Sequence, residues 1–143
     1  MSRTFSLRKD ERGATIVEFA LLAPVILGLL LGVVQISLSA QSYNAMRSVA
    51  SDTARYAVVE MQKESTTLND AALKAYAESR ASSALYNLNS GFTATVANAT
   101  NQRVTGATEK TITVTYTAPA VLPFLGWLNP TMTFSRPIFL LQP

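Results

Sequence analysis

The chain has 143 residues, enough for one modest domain, and contains neither cysteine nor histidine. Disulfides and thiolate metal sites are excluded, and the commonest general base and metal ligand is missing, so composition argues against an enzyme and implies neither metal nor cofactor. The net charge of +3 is concentrated at the start, where Arg3, Arg8, Lys9 and Arg12 outweigh Asp10 and Glu11, and no aromatic-interleaved basic surface follows that would suit a nucleic acid.

That basic cluster runs directly into an apolar stretch, Phe19 to Leu38, in which only Gln35 and Ser37 are plainly polar. A helix rising about 1.5 Å per residue over this length crosses the roughly 30 Å hydrocarbon core of a bilayer. Positive charge before the span orients it with the N-terminus in the cytoplasm and the C-terminus outside. Glu18 stands at the entrance. A carboxylate at the edge of lipid is costly unless paired or solvated, so it marks a functional position or lies at headgroup level. Pro24 removes one backbone donor and is expected to kink or loosen the helix, and Gly28 and Gly32 form a Gly-x-x-x-Gly pair that lets another helix approach. Three kinds of segment share this layout. A cleaved signal peptide would use Ser37-Leu38-Ser39-Ala40 and release a soluble product near Ala40, but the apolar run exceeds the usual length and helical periodicity continues past the cut. A permanent signal anchor explains the run but gives Glu18 no role. The third kind gives Gly13 and Glu18 a role together.

Beyond Leu38 the helical pattern continues through Tyr43, Met46 or Arg47, Ala50, Ala54 and Ala57, predicting one helix from about Ala14 to about Val59. Gln41, Asn44, Arg47, Asp52 and Arg55 make one side polar, and the other side is small or apolar and suited to docking a domain. A second helix is expected from a cap at Asn69 or Thr67, with Asp70 in its first turn, to about Tyr86, closed by Asn87, Asn89, Ser90 and Gly91. From Phe92 the period becomes two: strands are expected over Phe92–Ala97 and Thr111–Thr117, with Arg103–Thr105 as a short strand and Thr131–Arg136 as the last. Together these give an α+β fold: a long N-terminal transmembrane helix that continues beyond the membrane, a second helix, and a small antiparallel sheet. Between the last strands, three prolines interrupt a run containing Leu122, Phe124, Leu125, Trp127 and Leu128. It reads as a lid on the core or as a patch for a partner. The tail Ile138 to Leu141 raises the same question, and because five of the six prolines lie beyond Ala118 this end reads as loop. Phosphate-binding loops, metal-ligand clusters and nucleophile elbows are absent from the sequence.

Gly13-Ala14-Thr15-Ile16-Val17-Glu18-Phe19-Ala20, Pro24, and Ala54-Arg55-Tyr56-Ala57 about forty residues on together resemble TadE-like pseudopilins of the tight-adherence (Flp) type IV pilus system. The resemblance covers about the first sixty residues. The chain is longer than the major pilin of such systems, and its tail lacks the acidic ending that goes with the family. The resemblance implies a minor pilin cut after Gly13 by a prepilin peptidase, so that Gly13, Ala14, Glu18 and Phe19 form the processing site. It implies a cytoplasmic leader at 1–13, a transmembrane part at 14–38, a periplasmic continuation of the helix at 39–60 and a small α+β periplasmic domain at 61–143. The implied location is the bacterial inner membrane. The implied partners are the prepilin peptidase, other pilins and pseudopilins, the inner-membrane pilus assembly platform and the lipid bilayer, and the implied role is priming or capping a pilus. The residues by themselves also leave open a permanently anchored periplasmic scaffold of a secretion machine.

Overall fold

A computed structural model describes residues 11–64, 69–88, 90–121 and 129–141. One helix, α1 (Glu11–Glu64), runs without a break for 54 residues, about 80 Å at the standard rise. Pro24 lies inside it and does not end it. The helix passes the expected end near Val59 because its last turns still have something to cover: Ala57 is fully buried and Met61 packs against the core.

The second helix, α2 (Asp70–Ala81), starts where a local cap dictates. Asn69 has extended φ and ψ, and its side-chain oxygen accepts the Ala71 N–H at 3.1 Å. Thr67, the other candidate cap, lies outside the described residues. Asp70 in the first turn pairs with Lys110, reaching from helix to sheet. The helix stops at Ala81 and not near Tyr86. The hydroxyls of Ser82 and Ser83 take the carbonyls of Ser79 and Arg80, at 3.1 and 2.6 Å, in competition with helix continuation. Asn87 then adopts φ 51°, and the Leu88 N–H returns to the Ala81 carbonyl at 2.8 Å, which drives Leu88 into the core.

Three strands follow as an antiparallel meander in the order β1 (Phe92–Asn98), β2 (Ala107–Thr117), β3 (Thr131–Leu141). Ala94 faces Val114, which faces Phe134. Strand alternation sends Ala94, Ile112, Val114, Tyr116, Ile138 and Leu140 to one side, where they meet Met46, Val49, Ala50, Ala54 and Ala57 of α1 and Leu73, Ala77 and Ala81 of α2. The other side is a plain of hydroxyls, with Thr113 bonded to Ser135 at 2.9 Å and Thr117 to Thr131 at 3.1 Å.

Two strand expectations need correction. Residues Arg103 to Thr105 form no strand; they belong to the β1–β2 loop, held by side-chain bonds to Glu109. The tail Ile138 to Leu141 is strand, not loop: β3 continues through Pro137, opposite Thr111, and buries Ile138 and Leu140. An edge strand tolerates a proline because one row of its backbone donors is unpaired in any case.

Gly91 opens β1 at φ 82°, and its carbonyl accepts the Thr117 N–H at 3.1 Å. A Cβ there would lie 2.9 Å from the Thr117 carbonyl oxygen, whereas one on Gly106, at φ 84°, would meet nothing within 4 Å. Gly106→Ala is therefore expected to cost about 1 kcal/mol, the left-handed penalty alone, and Gly91→Ala distinctly more, as read from urea unfolding of the detergent-solubilised chain.

Candidate functional site

Among the described residues, most side chains on the first half of α1 have nothing packed over them. From Ile16 to Leu38 the large apolar side chains are between 39% and 71% exposed, except Leu31, which is half-buried. Among the described residues this is the one helix long and apolar enough to cross a membrane. Apolar on all faces and unburied, it makes the chain a single-pass membrane protein.

Gly13, Ala14, Glu18 and Phe19 all lie in the first turns of α1 and all are exposed. Helix geometry places Ala14 and Glu18, four residues apart, one above the other on the same face. Among the described residues, no cation pairs with Glu18. Pro24, Gly28 and Gly32 fall in one i, i+4, i+8 row, and a Cβ on either glycine would meet nothing within 4 Å, so the shallow notch they form is open to the outside. The apolar run of Leu122, Phe124, Leu125, Trp127 and Leu128 lies outside the described residues. The base of its loop does not: the Ala118 N–H donates to the Pro130 carbonyl at 3.2 Å.

Gln35 is the residue whose importance the sequence hides, since there it is only a polar exception in an apolar run. Its Nε2 donates to the Pro119 carbonyl at 3.3 Å, and its Oε1 accepts the Val121 N–H at 2.8 Å. A side-chain amide carries one acceptor and one donor in the spacing of a peptide group, so it satisfies both backbone groups of the loop root at once.

Further along, α1 is locked to α2 through Asp52. Its Oδ2 accepts from Arg80 at 2.7 Å and from the Tyr86 hydroxyl at 3.0 Å, and the Arg80 guanidinium lies 5.6 Å from the Tyr86 ring centre. The bond from Arg80 holds the Asp52 carboxyl below its usual range, while burial, and then the bond to Asp52, push the Tyr86 hydroxyl up. The Ala54-Arg55-Tyr56-Ala57 step splits across this contact. Ala54 and Ala57 are buried, and Tyr56 stacks on Tyr76 with ring centres 4.0 Å apart and planes 4° from parallel. Arg55 lines the shallow notch between the helices beside them.

At the far end of the sheet, Glu109 is 2% exposed and receives the Arg103 side chain, through Nε at 2.9 Å, and the Arg103 backbone N–H at 3.1 Å. Those bonds hold its carboxyl down, and Arg103 in turn lies 5.4 Å from the Phe139 ring centre. Both carboxylates are structural. Among the described residues no cluster of acidic side chains is arranged to hold a metal ion.

Residues 13–55 match the model of the family described as TadE-like protein. The match opens on Gly13 and runs through the exposed apolar half of α1 into its docking half. No curated protein and no solved structure matches the chain.

Asp52 and Glu109 have lower pKa values folded than unfolded, so in the acid range the unfolded chain binds more protons and stability rises with pH. Their contribution is complete above the ordinary values near 3.8 and 4.5 and is lost as pH falls through the depressed ones. The urea midpoint is expected to stay level from neutral pH to about pH 5 and then to fall, and the double variant Asp52→Asn, Glu109→Gln is expected to be less stable at pH 7 and flatter below pH 5.

Proposed function

We propose that this chain is a minor pilin of a tight-adherence (Tad) pilus. In this reading a prepilin peptidase matures it after Gly13, and it serves, without catalysing any reaction, to prime or cap the pilus. One observation carries the reading: the TadE-like match begins at Gly13, on a helix whose apolar half is largely exposed among the described residues and so is fitted to exchange lipid for other helices.

Hydrolysis of the Gly13–Ala14 peptide bond would free a carboxylate on the leader and an amine on Ala14, which is an ammonium at neutral pH. Glu18, one turn on and on the same face, is then the carboxylate available to it. Within one chain the two would neutralise each other at the membrane edge. Between chains, the Glu18 of one subunit would take the Ala14 ammonium of the next, and the cost of an unpaired charge in hydrocarbon would set the axial offset of the two helices. The open row of Pro24, Gly28 and Gly32 suits close approach of the neighbouring helix. The basic leader favours a cytoplasmic N-terminus, and in this reading α1 anchors the chain in the inner membrane and the α+β body lies in the periplasm. The assembly platform and other pilins are the partners that follow. Release near Ala40 is disfavoured, because that cut would fall within an unbroken helix and discard Gln35 with both of its bonds.

The test is the N-terminal mass of the protein taken from its native host with the secretion systems present. A start at Ala14 is expected. A start at Met1 would mean a permanent anchor, and one near Ala40 or Gln41 a delivery signal. Glu18→Ala is expected to leave the cut in place and to reduce surface pili about tenfold, the effect of about 1.4 kcal/mol, counted by electron microscopy; normal piliation would remove the pairing role.

A further inference from the structure

The sequence leaves the junction between span and body as a bare helical stalk, but in the structure the body reaches down the helix as far as Gln35. The apolar run Phe19 to Leu38 is 20 residues. At about 1.5 Å each it measures about 30 Å, the thickness of the hydrocarbon core, so a filled span brings Gln35, three residues before its end, just inside its edge, and the loop root Pro119 to Val121 with it. Irregular backbone at that depth is tolerated only when its polar groups are satisfied. The Gln35 amide bonds the Pro119 carbonyl and the Val121 N–H.

What surrounds that level is suited to lipid. A groove of about 460 Å³ joins Leu38 on α1 to Leu85 and Tyr86 after α2 and to Pro119 at the loop root. Leu85, on the turn after α2, is 73% exposed, and Leu38 is 45% exposed. The described segments that meet here, 35–46, 81–88 and 111–121, contain no charged residue. The first charge on α1 past the span is Arg47, twelve residues or about 18 Å above Gln35. That interval holds amides, hydroxyls and Tyr43, the chemistry that settles in the interfacial layer of a bilayer.

We propose that the body is seated on the membrane through a charge-free collar of Gln35, Leu38, Leu85, Pro119 and Val121, whose partner is the interfacial layer of the phospholipid. The collar is continuous with the membrane-spanning surface of α1, and Gln35 anchors it by holding the loop root against the helix. Leaving the bilayer therefore requires the chain to free its body as well as its span. The seat rests on the single membrane pass alone and is independent of the pilus reading.

Because the chain has no cysteine, single-cysteine variants give unique labelling sites. Leu85→Cys and Val121→Cys, with Leu30→Cys as an in-lipid reference and Thr93→Cys on the hydroxyl face of the sheet as a water reference, are each labelled with a fluorophore in the full chain. The chains are placed in nanodiscs of phosphatidylcholine and phosphatidylglycerol. Nitroxides on the lipid headgroups are expected to quench the labels at 85 and 121 several-fold more than that at 93, while aqueous iodide shows the reverse order. Quenching at 85 and 121 equal to that at 93 would overturn the seat, with the label at 30 still reporting a filled span. Shielding from both quenchers that disappears at one chain per disc would overturn it in favour of a second copy. Gln35→Leu, which keeps the span apolar, is expected to lose the headgroup quenching at 121; its retention would refute the anchoring role of Gln35.

Discussion

One rod of helix in two environments is the constraint on which everything else depends. Over its first half α1 offers apolar side chains that the described residues leave largely exposed; over its second half it offers a narrow stripe, Met46, Val49, Ala50, Thr53, Ala54 and Ala57, and α2 and the sheet close over that stripe. The hydrophobic effect acts on both halves alike. Within the chain, however, only the second half finds its partner. The first must find its cover elsewhere, in lipid or in other helices.

The body built on the second half is small, and its helix contacts are made largely by alanines. Small side chains bring helices close but bury little area each, so apolar packing alone leaves the relative placement of the elements weakly specified. Polar pairs supply the register. Asp52 takes Arg80 and Tyr86 between α1 and α2, Lys110 takes Asp70 between sheet and helix, and Arg103 closes the β1–β2 loop over Glu109. Partly exposed pairs of this kind contribute on the order of 1 kcal/mol or less each. Their use is in orientation more than in energy. Gln35 does for the loop root and the span what these pairs do within the body, at the point where the environment changes.

What could be read from the sequence is what short-range chemistry decides. Twenty apolar residues behind a basic cluster specify a span, a period of 3.6 carries the helix past Leu38, a period of two marks the strands, and Asn69 before Asp70 starts a helix, because each of these depends on neighbours within a few positions. The Gly13, Glu18 and Phe19 spacing carried meaning only through its resemblance to a family. The tertiary structure decided the rest. Gln35 finds its partners 84 and 86 residues away, Asp52 finds Arg80 and Tyr86 28 and 34 away, and no local pattern announces such pairs. The end of α2 was set by where Leu88 had to go, and the tail became strand because β2 offered an edge long enough to bury Ile138 and Leu140 beyond a proline that local propensity reads as a stop. Propensity and periodicity determine which elements form; which residues meet, and where the body stands on its helix, depends on a free energy shared among segments far apart in the chain, and that is settled only when they pack.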